Sequence, residues 1–400
     1  MALIKRRQRR RRQGKRDRII MIAAAALLAV VIAAGFWLAR SRPVAQPEPW
    51  EKNVVARQGK ALSVAWAYRP TEFDVPQGVD VQAPTWLYVE ADSLGKPVLH
   101  SLNDMGYTGF NAPAYVQAAH EAGVEVWATV VSFDAELSRQ VVADTQSRTE
   151  FVAALAQWAR TAGVDGICFD FEQMDPADKA LYTELVKAAD QAMPGLTLAV
   201  AVTVPLGYED EDNWYQCYDR EGLAGAADYL ALMCYDAHRE AVQPVAPLSW
   251  VRRAVERTLA TIPSSKVLLG IPFYGVDFYA PQGSEQEPEP EHAAISAAAM
   301  EKLLREGSIT RGEEQITVDT WQDKGSWQED WSVMCYEFTD TAGRFHRVWM
   351  EDARSLQEKG ALMDGYGLAG AAVWQQSQGT DTLWKALAEI TAEKEPVTDE

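Results

Sequence analysis

Four hundred residues are enough for one large domain or two ordinary ones, and 48% hydrophobic with 24% charged residues allows a large core under a soluble surface. Residues 1–42 hold 12 Lys and Arg against one acid, Asp17, which leaves 26 basic and 56 acidic groups on the remainder, a net charge of −30. A body that acidic excludes a nucleic-acid backbone as its partner.

In chain order, a basic head, "MALIKRRQRRRRQGKRDR" (1–18), precedes "IIMIAAAALLAVVIAAGFWLA" (19–39). This run has 21 uncharged residues, the length of a bilayer-crossing helix. A cleaved signal peptide, ending near Ala45, is the rival, but its apolar core usually spans about 7–15 residues. The expectation is therefore an N-terminal transmembrane helix that anchors a single-pass protein in the cell membrane of a bacterium. The basic flank keeps the N-terminus cytoplasmic and the catalytic body outside. Residues 40–60, polar and with three prolines, read as a linker.

Eight short apolar runs follow: 62–68, 81–89, 124–133, 166–172, 196–205, 229–236, 266–275 and 368–376. Most lack an alternating polar face, which suits parallel strands buried on both sides. Helical patterns lie between them at 112–123, 147–163, 175–193, 247–262 and 350–367, several with Asp or Pro at the start or Gly at the end. Strands alternating with helices predict an α/β fold, a TIM (β/α)8 barrel over residues 61–390. A doubly wound open sheet is the runner-up, but no Gly-rich phosphate loop follows the first strand. Residues 276–349 break the rhythm with an acidic loop, one helix and two hairpin strands. They predict a small inserted lobe between strands 7 and 8. An acidic tail closes the chain at 391–400. Cys168, Cys217, Cys234 and Cys335 show no metal-ligand spacing, and any disulfide pairing is left open.

The fourth strand carries acids: "GVDGICFDFEQMDP" (163–176). Alternation puts Cys168, Asp170 and Glu172 on one face and Ile167, Phe169 and Phe171 on the other. The large apolar set suits the helix side, so the acids point inward at the strand's C-terminal end, where barrel enzymes keep their active sites. Two carboxylates on one face couple, and one charge raises the other's pKa. A proton donor beside a charge suits glycosyl transfer. The plain alternative is acids that cap a strand end.

"DGICFDFE" resembles the D-G-x-D-x-D-x-E signature of glycoside hydrolase family 18, the chitinase family. Asp165, Gly166, Asp170 and Glu172 match, and Cys168 stands where Asp or Asn is usual. "MCYD" (233–236), "GIPFYG" (270–275), Trp374 in "AAVWQ" and "WMEDARSLQEK" resemble later family motifs. "PTWLY" (84–88), "NWYQCYDR" (213–220) and "VAPLSWV" (245–251) are similar to the bacterial branch of spore-cortex and peptidoglycan N-acetylglucosaminidases.

The resemblance implies cleavage of β-1,4 bonds in N-acetylglucosamine-containing glycans, with the substrate's 2-acetamido group as nucleophile. It makes Glu172 the general acid and base, Asp170 the orienter of the acetamide N–H, and Tyr235 a donor to its carbonyl. Trp374 floors the sugar site, with Met233 and Asp236 lining it. Asp165 and Cys168 are structural neighbours. No metal or organic cofactor is implied, and oligomeric state is not legible. A non-catalytic, lectin-like wall protein is the alternative from another class.

Overall fold

The computed structural model describes residues 60–206, 214–237, 242–281 and 290–393. Its first sheet contains β1 (Leu62–Tyr68), β2 (Val81–Ala91), β3 (Pro97–Ser101), β4 (Glu125–Ser132), β5 (Gly166–Phe171), β6 (Thr197–Thr203), β7 (Tyr229–Met233), β8 (Val267–Pro272) and β15 (Gly370–Trp374). Neighbours run in the order β1-β15-β8-β7-β6-β5-β4-β2, and β1 pairs with β2 to close the ring. These eight strands are parallel, and β3 adds antiparallel to the edge of β2. The predicted (β/α)8 barrel is present.

The outer layer comprises α1 (Ala112–Glu121), α2 (Ala135–Val142), α3 (Thr145–Ala162), α4 (Lys179–Ala192), α5 (Arg220–Ala226), α6 (Leu248–Leu259), α8 (Ala353–Tyr366) and α9 (Asp381–Thr391). Their ends obey local chemistry. The Asp144 carboxylate accepts the Ser147 N–H (2.9 Å) to start α3, and Gly163 at φ 75° ends it. Asp352 and Ser355 form a reciprocal capping box at the start of α8.

Two apolar layers follow from strand alternation. Ile167, Phe169 and Phe171 face the helices and have no exposed surface. The barrel interior instead holds Trp66, Trp127, Cys168 and a ring of small residues, Ala83, Ala199, Ala201, Ala231 and Ala372. Gly166 is required here: a Cβ on it would sit 2.6 Å from the Trp127 ring and from the Thr197 carbonyl oxygen.

The inserted lobe is larger than its sequence suggests. Strands β9 (Tyr274–Pro281), β10 (Glu291–Ser296), β11 (Ser308–Arg311), β12 (Glu314–Gln328), β13 (Val333–Asp340) and β14 (Arg344–Met350) form an antiparallel sheet in the order β10-β9-β14-β13-β12-β11. The helix α7 (Ala297–Glu306) and the hairpin β13–β14 were expected; β9 to β12 were not. Strand β12 buries only Ile316 and is rich in Gln and Asp, so its pairing with β11 and β13 is what makes it a strand.

No helix among the described residues is long and apolar enough to cross a membrane. That corrects the expected placement as a single-pass cell-membrane protein. The run on which it rests, residues 19–39, lies outside the described residues, as do the basic head, most of the linker and residues 394–400. The longest described helix, α3, has 18 residues but carries Arg148, Glu150 and Arg160. All four cysteines are free and buried.

Candidate active site

A cleft of about 620 Å³ opens over the C-terminal ends of the barrel strands. Six of the residues singled out in the sequence line it: Asp170, Glu172, Met233, Tyr235, Asp236 and Trp374. Five different barrel strands therefore converge on one cavity, counting β1, which adds Trp66, and β6, which adds Ala201 and Thr203.

Asp170 and Glu172 come from the end of β5. The Glu172 N–H donates to the Ser132 carbonyl (2.8 Å), which extends the β4–β5 ladder just far enough to fix Glu172 at the rim. Gln173 then turns the chain at φ 57°. Asp170 is 5% exposed, and its Oδ1 is buried without a hydrogen-bond partner. Burial first, and the charge of Glu172 second, push the Asp170 carboxyl well above its ordinary range. A buried, unpaired carboxyl oxygen facing a cavity is costly unless a ligand satisfies it.

Tyr235 and Asp236 follow β7. Burial, then Asp170, Glu172 and Asp236, push the Tyr235 phenol upward, so its hydroxyl keeps its proton. Asp236 turns at φ 70° and accepts a hydrogen bond from the Tyr274 hydroxyl (2.5 Å). Tyr274 packs edge-on against Tyr235 at 6.2 Å and starts β9, so the lobe and the barrel share this wall. Trp374 lies 6.1 Å from Trp66, tilted by 58°, and a cis peptide bond follows it.

Two residues singled out with these lie elsewhere. Cys168 sits below the cleft inside the barrel, beside Trp66 and Thr129; burial pushes its thiol up, so it is neutral. Asp165 precedes β5, at the opposite end of the strand from Glu172. It accepts the Val126 N–H (2.8 Å) and faces His120 Nε2 (2.8 Å), which ties the strand entry to β4 and α1. It lies remote from the cleft.

Sequence reasoning missed Trp66, Tyr215, Trp250, Tyr274, His292 and Gln378 as lining residues. Trp66 was findable, since it alternates with Leu62 and Val64 on one face of β1. His292 was not: it reaches the cleft only because β10 pairs antiparallel with β9. Arg220 holds the wall near Tyr215 by donating to the Thr203 carbonyl (2.9 Å), the Thr203 hydroxyl (2.9 Å) and the Tyr215 carbonyl (3.1 Å).

The family model for glycosyl hydrolases family 18 matches residues 103–379. The chain belongs to glycosyl hydrolases family 18. That family is one of glycosyl hydrolases. It is 28% identical over 277 residues to YdhD of Bacillus subtilis, assigned as a sporulation-specific glycosylase, covering 67% of this chain and 61% of that one. It is 26% identical over 267 residues to the cortical fragment-lytic enzyme of the same organism, covering 64% and 57%. The matched region thus spans about three fifths of these relatives' length. The crystal structure of the Bacillus cereus spore cortex-lytic enzyme SleL superposes with a TM-score of 0.67 over 83% of this chain and 74% of that one; at 19% identity this speaks for the fold.

Proposed function

We propose that this chain hydrolyses β-1,4 bonds of N-acetylglucosamine-containing polymers, peptidoglycan or cortex fragments before chitin oligomers, by a retaining, substrate-assisted mechanism. One observation carries the reading. A buried Asp170 with an unsatisfied oxygen lies beside Glu172 in a cleft that also holds Trp374 and a protonated Tyr235. The names of the cortical fragment-lytic relatives favour the cortex over chitin.

The roles follow from chemistry. Glu172, at the rim, gives its proton to the glycosidic oxygen as the C1–O bond breaks and its electron pair leaves on that oxygen. The acetamide carbonyl oxygen attacks C1 from the other face and forms an oxazolinium ring. The open Asp170 oxygen accepts the acetamide N–H, and Tyr235 donates to the carbonyl oxygen. Trp374 stacks beneath the sugar, with Met233 and Asp236 at its edge. The Glu172 carboxylate then takes a proton from water, whose oxygen adds to C1 and opens the ring with net retention.

The raised Asp170 carboxyl helps at the start. A pair that resists double ionisation holds a proton to higher pH, and Glu172 needs one in the first step. Proton NMR of the first product formed from cortex fragments tests the stereochemistry: the β-anomer should appear first, and an initial α-anomer would remove the double displacement.

A further inference from the structure

Tyr68 is the last residue of β1 and lies two residues after Trp66, so it shares that face and stands one step nearer the barrel mouth. Its N–H donates to the side-chain oxygen of Gln375 (3.3 Å), the residue after Trp374. The side chain is 54% exposed and lines a second groove, separate from the cleft, together with Asp74, Gln376 and Asp381. Arg69 follows at φ 50°, a left-handed conformation that non-glycine residues adopt at a cost.

The turn folds the Arg69 guanidinium onto tyrosines. Its Nε donates to the Tyr88 hydroxyl (2.8 Å) and its Nη1 to the Tyr107 hydroxyl (3.1 Å). Its central carbon lies 5.0 Å from the Tyr68 ring centre, 4.7 Å from that of Tyr88 and 5.8 Å from that of Tyr107. No carboxylate pairs with it among the described residues, although acids outnumber bases two to one beyond residue 42. A cation fixed by neutral acceptors and ring faces, with its Nη2 uncommitted, is pre-ordered for a planar anion. The cleft itself carries Asp170, Glu172 and Asp236, which favour an uncharged sugar there.

We propose that Tyr68 and Arg69 form an accessory glycan site at the barrel mouth: the Tyr68 ring receives a pyranose face and Arg69 binds a carboxylate carried by that sugar. The site selects a polymer in which neutral and carboxylate-bearing N-acetyl sugars alternate. It deepens the glycosidase reading and rests on it.

Three probes separate the possibilities: chitotetraose, which is uncharged; a tetrasaccharide alternating N-acetylglucosamine with N-acetylmuramic acid, its lactyl carboxylates free; and the same tetrasaccharide with peptide stems, whose lactyl carboxyls are consumed as amides. Calorimetry in a Glu172→Gln background reads binding without turnover. Adding Arg69→Gln should weaken at least one carboxylate-bearing probe about tenfold, the scale of one charge-assisted hydrogen bond, and leave chitotetraose within about twofold. The probe that loses affinity names the source of the carboxylate, lactyl or peptide. Arg69→Lys, which keeps the charge, should recover part of the loss, and Tyr68→Ala should weaken every probe. Equal loss on all three probes with Arg69→Gln, no loss on either charged probe, or unchanged binding with Tyr68→Ala would overturn the site. Failure of the glycosidase reading would show separately, as no turnover of any probe by the wild-type protein.

Discussion

Asp170 bears two opposed demands. The proposed chemistry needs an acceptor for the acetamide N–H, while the fold penalises a buried charge. Its folded carboxyl is raised above the ordinary value of 3.8 by burial and by Glu172, so the folded state holds this proton more tightly than the unfolded state. Stability from that proton is complete below about pH 3.8 and is lost as pH rises through the folded pKa. Asp170→Asn should therefore lose activity yet melt higher than wild type at neutral pH, with the gain fading as pH falls toward about 4 and absent below it; melting curves against pH check it, and a variant less stable at pH 7 would count against the raised carboxyl. Cys168 makes a second case. It is neutral and inside the barrel beside Asp170's strand face, so Cys168→Asn should keep the fold and keep or raise kcat, with the acidic limb of the pH–rate profile moved. Abolished activity in a folded Cys168→Asn protein would give the thiol a role that its burial does not suggest.

Elements read from the sequence divide by where their information lies. Barrel strands such as β5 and β6 are apolar on both faces, so composition alone marks them. The acids of β5 stood out because they break that rule, and alternation alone placed Asp170 and Glu172 on the inner face. Strand β12 and the wall formed by His292 were hidden, because pairing across the inserted lobe creates them. The Arg69 cluster was hidden for the same reason: Tyr88 and Tyr107 are remote in sequence and meet the guanidinium only in the closed barrel. Between β14 and α8, Lys359 Nζ and Glu351 Oε2 form an ion pair at 2.8 Å, with side chains 1% and 2% exposed, and the Ser355 hydroxyl also donates to Glu351 (2.6 Å). This pair fixes the lobe's last strand to the barrel's helix layer. Lys359→Met should cost about 3–5 kcal/mol by stranding a buried carboxylate, and adding Glu351→Gln should return much of it. Denaturant titration of both variants reads this, and a single variant within 1 kcal/mol of wild type, as an isolated surface pair would give (~1 kcal/mol), would show that water reaches the site.

At the scale of the molecule, a closed barrel brings residues from β1, β5, β6, β7 and β15 to one cleft, and the lobe adds a wall through Tyr274 and His292. The family assignment agrees with that architecture, and the proposed mechanism places the nucleophile on the substrate instead of the protein. Tyr235→Phe should then slow the reaction less than loss of the acid does, since one hydrogen bond to developing charge is worth at most a few kcal/mol. The most direct measurement compares hydrolysis of a cortex-derived tetrasaccharide with that of cellotetraose, which has 2-hydroxyl groups in place of the acetamides, by wild-type protein and Glu172→Gln. Turnover of the acetamido substrate alone, with kcat lower by about 10²–10⁴ in Glu172→Gln, is the predicted result. Comparable cleavage of cellotetraose, or a Glu172→Gln protein as fast as wild type, would contradict the mechanism.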